Sequence, residues 1–404
     1  MTDLDIRTLD VDEHRAARDL FLETLHVSPT GERDGPLTER AFQPGRTLGA
    51  FEGGAMVGTA RSVDVALTVP GGVVSAAAVT GVGVRANRTR RGLLRGLMAA
   101  QLDGCASRGV VAAGLLASEG GIYGRFGYGI GTVERSLRLD RRRTSVREDA
   151  PAGGEIELWD FDTAVERLPG LYRDIAGTYP GMLSRPDHLW AGWESHFRRR
   201  KEIARAAVHH GSSGVDGYAM YRVTSEHAGN GRFSVLCVED MITASPEARA
   251  GLWRYLLGVD LIDTVEFSKR PLDEPLELLL TEPHACRVHH TGDHLWLRLV
   301  DVPAALAARS YGACGDETVV LEVRDSLLPD NSGSYAIGCS GVARTEQPAQ
   351  LVVDVDALAM LYLGAWRPGA LAETGRLEVR ESGALAVADR VFATSTRPWC
   401  GTSF

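Results

Sequence analysis

The sequence predicts a mixed α+β protein in three parts: two copies of one strand–helix unit, then an α+β domain of another kind. Three observations carry this. The chain has 404 residues, 44% of them hydrophobic, enough for about two to four domains at roughly 100 to 200 residues each. The order strand, strand, strand, helix, strand occurs twice, before and after a polar stretch at Arg141 to Gly154. From Leu295 the pattern changes to short strands mixed with short apolar helices. The parts are expected at 1–146, 147–294 and 295–404.

The first part opens on an amphipathic helix at Val11 to Leu25, with Val11, Leu20, Phe21 and Leu25 apolar among charged neighbours. Pro29 to Pro44 reads as a polar loop and Thr47 to Phe51 as a strand. Gly53-Gly54 turns the chain into a second strand, Met56 to Leu67. Pro70-Gly71-Gly72 turns it into a third, Val73 to Val84. An arginine-rich loop then leads to a helix from about Arg91 to Ser107, with Leu94, Leu97, Met98 and Leu102 on its buried face and Gly109 beyond its end. Val110 to Leu116 is a short apolar strand of the kind buried on both faces.

The second part starts with strand Glu155 to Asp160 and helical stretches through about Arg199. A strand pair from Ile203 to Val223 turns at Gly211 to Gly214, and strand Phe233 to Ile242 follows. Ser245 caps the next helix and Pro246 opens it, running to Leu257 before strand Thr264 to Phe267. The last part has a strand at Leu295 to Val300, a helix at Pro303 to Arg309, and strand-like runs around Val319 to Val323, Tyr335 to Ile337 and Leu351 to Val353. Helices are expected near Ala357 to Leu363 and Leu385 to Phe392. Trp399 and Phe404 predict a docked chain end, because apolar tails seldom float in water.

Composition narrows the function. A net charge of −9 argues against a general nucleic-acid binder, which needs a basic excess to neutralise phosphates. No run of about 18 apolar residues is present to span a bilayer. The acidic start Met1-Thr2-Asp3-Leu4-Asp5 does not read as a signal peptide, so a soluble cytoplasmic protein is expected. The six cysteines have no metal or redox-pair spacing and are expected to be free thiols.

The strongest local signal is the stretch Val82-Gly83-Val84-Arg85-Ala86-Asn87-Arg88-Thr89-Arg90-Arg91-Gly92-Leu93-Leu94-Arg95. A strand ends, an arginine-rich loop follows, and a glycine sits where a helix begins. Unpaired N–H groups and the helix dipole make such a start an anion site. In the second copy the helix start is Thr243-Ala244-Ser245-Pro246-Glu247. It has no arginine, and its proline lacks an N–H, so that copy is expected to have lost the site.

The loop resembles the pyrophosphate loop of the GNAT acetyltransferases, Arg/Gln-x-x-Gly-x-Gly/Ala, with Thr89 at the first position and Leu94 at the last. Together with Ala117-Ser118-Glu119-Gly120-Gly121-Ile122-Tyr123-Gly124-Arg125-Phe126-Gly127-Tyr128-Gly129 it resembles the Eis family (enhanced intracellular survival). The likeness continues at Gly217 to Val223, Leu295 to Leu306, Leu361 to Ala365 and the terminal Phe404. It implies tandem GNAT-type domains, then a sterol-carrier-protein-like domain. It further implies acetyl-CoA as donor, no metal, amine acceptors that include aminoglycosides, and a homo-hexamer.

The resemblance also implies site residues. The backbone at Val82 and Val84 and the start at Arg90, Arg91, Gly92, Leu93, Leu94 and Arg95 would hold acetyl-CoA. Tyr123 matches the family's acid for the departing thiolate, and the base is the chain's terminal carboxylate, here on Phe404. A free α-carboxyl titrates at about 3.3 to 3.7, so partial burial would be needed to make it a better base. Glu119 is the rival base. At the penultimate position stands Ser403, where the family can carry an acidic residue. Three acidic residues, Glu32, Asp34 and Glu39, are candidates for acceptor walls.

Other chemistries have weaker footing. His284, His289, His290 and His294 with Cys286 are the densest histidine cluster, but their spacing matches no familiar metal pattern, and Thr291-Gly292-Asp293 reads as a hairpin turn. No Gly-x-Ser-x-Gly follows a strand, as a serine hydrolase would need. The rival from another class is a lipid- or small-molecule-binding protein that uses the last domain, with the acyltransferase part as scaffold. A rise in melting temperature on adding acetyl-CoA discriminates between them.

Overall fold

The computed structural model describes residues 4–28, 35–200, 203–228, 231–312, 315 and 317–404. The chain divides into two units, one of residues 1–132, 179–195 and 293–404, the other of residues 133–178 and 196–292.

In the first unit, β1 (Leu4–Thr8) leads through α1 (His14–Thr24) and α2 (Gly35–Arg40) to the antiparallel run β2 (Thr47–Glu52), β3 (Ala55–Val69) and β4 (Gly72–Val84). Helix α2 lies inside the stretch expected to be a polar loop. Helix α3 (Leu93–Ser107) crosses to β5 (Ala112–Leu116), parallel to β4, and β6 (Gly129–Ile130) follows. The helix begins two residues later than its sequence pattern suggests, with Gly92 as its N-cap.

The next strand changes sheets. β7 (Val133–Asp140) joins the second unit, although it falls within 1–146. There β8 (Glu155–Asp160) and α4 (Phe161–Ile175) precede β9 (Ala204–Gly211), β10 (Gly214–Ala228) and β11 (Gly231–Thr243), while α5 (Asp187–Arg198), between α4 and β9 in sequence, belongs for most of its length to the first unit. Helix α6 (Pro246–Gly258) crosses to β12 (Thr264–Pro271), and α7 (Leu276–Leu279) leads to β13 (Cys286–Asp293). Thr291 to Asp293 therefore continue a strand and are not a turn. His284, His289 and His290 are exposed around it, whereas His294 is buried.

The two seven-stranded sheets have matching orders. The first is β1-β2-β3-β4-β5-β14-β6, where β14 is Leu295–Leu299, and the second, read from its first strand, is β8-β9-β10-β11-β12-β7-β13. The sixth position of each sheet is thus filled by the strand that follows the other copy in sequence. β14 is mostly apolar (LWLRL) and β7 mixed (VERSLRLD), and nothing local says which sheet either pairs with.

The rest of the first unit is a five-stranded sheet of order β17-β16-β15-β18-β19, preceded by α8 (Val302–Ala308). Its strands are β15 (Thr318–Arg324), β16 (Gly333–Gly338), β17 (Gly341–Arg344), β18 (Leu351–Asp354) and β19 (Leu377–Val379). The helices α9 (Val355–Tyr362), α10 (Pro368–Glu373) and α11 (Ala384–Val391) complete it. Seven of the eight residues of α9 are buried, as a helix apolar all round must be. It touches β6 and β14 of one sheet and β15 and β18 of the other. The approach is close enough that a side chain at Gly129 would collide with the Asp356 carbonyl.

Arg298 of β14 ties these parts together. Fully buried, it pairs with Asp325 at 2.7 and 2.8 Å and donates to the Phe126 and Leu299 carbonyls. The chain end is held as well. Trp399 is buried, its backbone N–H donates to Pro180 O at 2.8 Å, and its ring stands edge-on to Tyr179. One cysteine departs from expectation: Cys339 is disulfide-bonded, whereas Cys105, Cys237, Cys286 and Cys400 are free.

Candidate active site

The site begins with a fault in the first sheet. β4 and β5 pair in parallel only from Ala76–Ala112 to Val79–Leu115, yet β4 continues to Val84. Beyond Val79 the two strands part. On the other side, Gly81 and Val82 together face Ala60 of β3, a bulge at which Gly81 takes φ +61°. Bulges of this kind bend a strand and redirect its groups. Arg85 N–H donates to Val57 O on β3, so by strand alternation the N–H groups of Val84 and Val82 point into the opening. Peptide donors aimed there can take up a carbonyl or amide oxygen of an extended ligand.

At the far end of β4 the helix start is open. Gly92, at φ +86°, caps α3 with no side-chain acceptor, and Gly96 N–H is the first to bond back into the helix, to Gly92 O. The N–H groups of Leu93, Leu94 and Arg95 are left for a ligand, the arrangement that binds phosphate. A Cβ built on Gly92 meets nothing within 4 Å. Arg90, Arg91 and Arg95 are exposed around it, Leu93 is buried, and Leu94 packs beside the core under α3. Glu52 pairs with Arg88 at 2.8 Å and lies 3.6 Å from Arg91.

Tyr123 lies in the segment that leaves β5. Its ring packs with Met98, Leu102, Phe126, Tyr128 and Trp296, in the cluster that Val82 and Leu94 also join. The structure thus brings Tyr123 together with two of the expected donor-binding residues. Its ring is buried, yet its hydroxyl makes no hydrogen bond to any described residue. By contrast, the hydroxyls of Tyr311, Tyr335 and Tyr362 each donate to a backbone carbonyl. Burial, with Glu119 adding to it, raises the Tyr123 pKa above the usual phenol value, so the group holds its proton at neutral pH.

Phe404 lies elsewhere. Its half-buried side chain packs against the large cluster that runs from the first sheet into the last domain. Tyr123 and Phe404 thus belong to different clusters. Glu119 is exposed, as is Glu39; Glu32 and Asp34 lie outside the described residues. A cavity of about 580 Å³ beside α1 is lined by Asp19, Leu20, Glu23, His26 and Arg85 among others.

The corresponding helix start in the second unit is occupied by the protein's own groups. Ser245 Oγ accepts from Ala248 N–H at 3.0 Å and donates to the Asp216 carboxylate at 2.5 Å. Burial would raise the Asp216 pKa, but hydrogen bonds from Ser245 and His209 outweigh it and hold the carboxyl below its usual range. An anion there would meet a carboxylate and a satisfied N–H. We expect titration calorimetry to give one acetyl-CoA per chain; two would show that the second start also binds.

A strand opening, peptide donors beside it and a bare helix start define an N-acetyltransferase of the GNAT class. The comparisons with known proteins agree. Residues 5–131 and 181–299 match models described as an acetyltransferase (GNAT) domain, and residues 302–401 match a sterol carrier protein domain. An uncharacterized N-acetyltransferase of Streptomyces griseus is 38% identical over 384 residues, 89% of each chain. N-acetyltransferase Eis of Mycobacterium tuberculosis is 36% identical over 359 residues, 86% of this chain and 85% of its own. The crystal structure of Eis1 from Mycobacterium abscessus superposes with a TM-score of 0.90 at 37% identity, covering 99% of this chain and 100% of that one. The chain belongs to the Eis family of N-acetyltransferases.

Gly92 offers a direct test of the donor site. Replacing it with phenylalanine places a side chain where phosphate would sit, starting from a Cβ that meets nothing within 4 Å. Losing about one charge-assisted hydrogen bond should weaken acetyl-CoA binding roughly 10- to 100-fold. Any L-residue at this φ costs about 1–2 kcal/mol, so Gly92→Ala serves as the control for strain. Equal affinity in both variants and the parent protein would move the phosphates elsewhere.

Proposed function

We propose that the first unit transfers acetyl from acetyl-CoA to a small amine by direct attack on the thioester. The observation that carries this reading is the alignment of three features along β4: the Gly81 bulge, the inward-pointing N–H groups of Val82 and Val84, and the open helix start at Gly92. Acetyl-CoA would lay its pyrophosphate on Leu93 to Arg95, flanked by Arg90 and Arg91. Its thioester would then reach the opening beside Tyr123. The amine attacks the acetyl carbon, the C–S bond breaks, and the thiolate takes the Tyr123 proton. A base must remove the proton the amine gives up. We assign this role to the Phe404 carboxylate, supported by the family resemblance and by the anchoring of the tail at Trp399.

Aminoglycosides are one acceptor class in this reading, and the cavity carrying Asp19 and Glu23 suits a cationic molecule. The resemblance also brings a homo-hexamer in the cytoplasm, which light scattering on the purified protein would test. No helix among the described residues is long and apolar enough to cross a membrane. The deciding experiment is CoA release across a panel of aminoglycosides, lysine peptides and small amines. Acetyl-CoA binding without release on any amine would overturn the reading.

A further inference from the structure

Arg61 stands in β3 directly across from the bulge. It alternates with Val63, Val65 and Leu67, so it belongs to the apolar face opposite α3. Its stem fills the room that Gly81 leaves: a Cβ on Gly81 would lie 3.0 Å from Arg61 Cγ and 3.3 Å from its Cδ and Nε. The guanidinium carbon is 4.5 Å from the centre of the Phe42 ring, which also stacks on His14 at 4.7 Å. One N–H donates to Ala41 O at 3.1 Å.

That is little company for a partly buried cation. Arg135, Arg270 and Arg298 each hold a carboxylate at 2.6 or 2.7 Å. Arg309, buried with no carboxylate, is satisfied by the carbonyls of Ser310, Leu361 and Phe392. Arg61 has one carbonyl and, among the described residues, no carboxylate. Asp64, the acidic residue of its own strand, is held by Arg46 at 2.9 Å with Arg108 at 3.8 Å. Lost hydration, and then Arg18, push the Arg61 pKa down to about 10, so it stays charged at neutral pH. His14, kept toward its neutral form by burial and by Arg61, has a buried Nε2 with no partner. A desolvated cation short of acceptors is costly unless something completes it.

We propose that Arg61 is a substrate-binding residue that takes an oxyanion on the acceptor, making the preferred acceptor a small amine that carries a carboxylate or phosphate. The inference rests on the acetyl-transfer reading above. In that reading the acetyl group lies at the Gly81 bulge, and the attacking nitrogen comes to about 3–3.5 Å from it. The guanidinium stem touches that bulge, so the anionic group falls within about one side chain's length of the amine. A planar guanidinium suits both carboxylate and phosphate. The donor's own phosphates do not fill this role, since they belong at Gly92, at the other end of the β4 segment.

The test uses matched acceptors with the full-length protein: β-alanine against β-alaninamide, 2-aminoethyl phosphate against ethanolamine, and kanamycin as the polycation. We expect kcat/KM for the charged member of at least one pair to exceed its neutral partner by roughly 10- to 100-fold. The pair that shows it identifies carboxylate or phosphate as the group bound. Arg61→Gln should collapse that ratio toward one, mostly through KM, and Arg61→Lys should restore part of it. The melting-temperature rise with acetyl-CoA checks that each variant folds and binds donor; if Arg61→Gln fails that check, Arg61→Lys and the wild-type ratios decide. Equal kcat/KM within both pairs in the wild type overturns the inference while leaving acetyl transfer intact. So does an Arg61→Gln loss of the same size on every amine, which would place Arg61 in thioester polarisation or in the fold. A wild type that acetylates no amine overturns the underlying reading and this inference with it.

Discussion

Tyr123→Phe should lower turnover at saturating acceptor by roughly 10²- to 10⁴-fold, the range of general acid–base catalysis, with acetyl-CoA affinity close to that of the parent protein. The phenol ring packs with Met98, Leu102 and Trp296, and phenylalanine keeps that packing. What is lost is a hydroxyl that bonds no described residue, so no buried acceptor among them is orphaned. The pH profile sharpens the test. An acid must be protonated to act, and burial raises the Tyr123 pKa above the usual phenol value. Turnover in the parent should therefore hold through neutral pH and fall only in strongly alkaline solution, as the phenol ionises. The variant should lack that alkaline fall. A variant as active as the parent, with the same profile, would return Tyr123 to a packing role.

Extending the chain beyond Phe404, or deleting Phe404, should nearly abolish acetyl transfer with little change in melting temperature or acetyl-CoA affinity. A terminal carboxylate serves as base only where it stands, and the tail fixes that place. Trp399 is anchored on Pro180 and Tyr179, Cys400 is fully buried, and Arg185 bonds Thr402 Oγ1 at 3.0 Å and Gly401 O at 3.3 Å. Those contacts precede the last residue, so they survive a change at position 404. An extension turns the carboxylate into an amide and moves the charge by several ångströms. An N-terminal tag should be harmless. Full turnover at saturating acceptor in a C-terminally tagged protein would transfer the base role to Glu119 or to solvent.

Much of the candidate donor site was legible because its signals are local. Gly92 and the arginines around it mark a helix start with room for an anion, and Gly53-Gly54 and Pro70-Gly71 mark turns that make β2, β3 and β4 a meander. The duplicated order could be read because each strand or helix advertises its own period. Helix α2 was missed because its six residues, Gly35–Arg40, carry both a glycine and a proline at their start. The turn at Thr291 was misread for the opposite reason: glycine and polar residues occur there inside an exposed strand, whose side chains have nothing apolar to face.

By itself, the sequence determined the type of most of the long elements, the repeat, and the glycine-marked helix start in one copy against the Ser245-Pro246 start in the other, but not α2 or the short strands β1, β6, β17 and β19. Each feature it determined depends on residues within a turn or two of one another. The tertiary structure alone decided which sheet receives β7 and β14, since both sheets offer an equivalent sixth place and only long-range pairing selects between them. It likewise put Asp216 at the helix start of Ser245, almost thirty positions away. It closed the Arg298–Asp325 pair across two strands and set Arg61 against Gly81. An arginine in a strand looks like any other charge in sequence. Whether it is paired, solvated or waiting for a ligand is a property of the groups that distant segments bring to it.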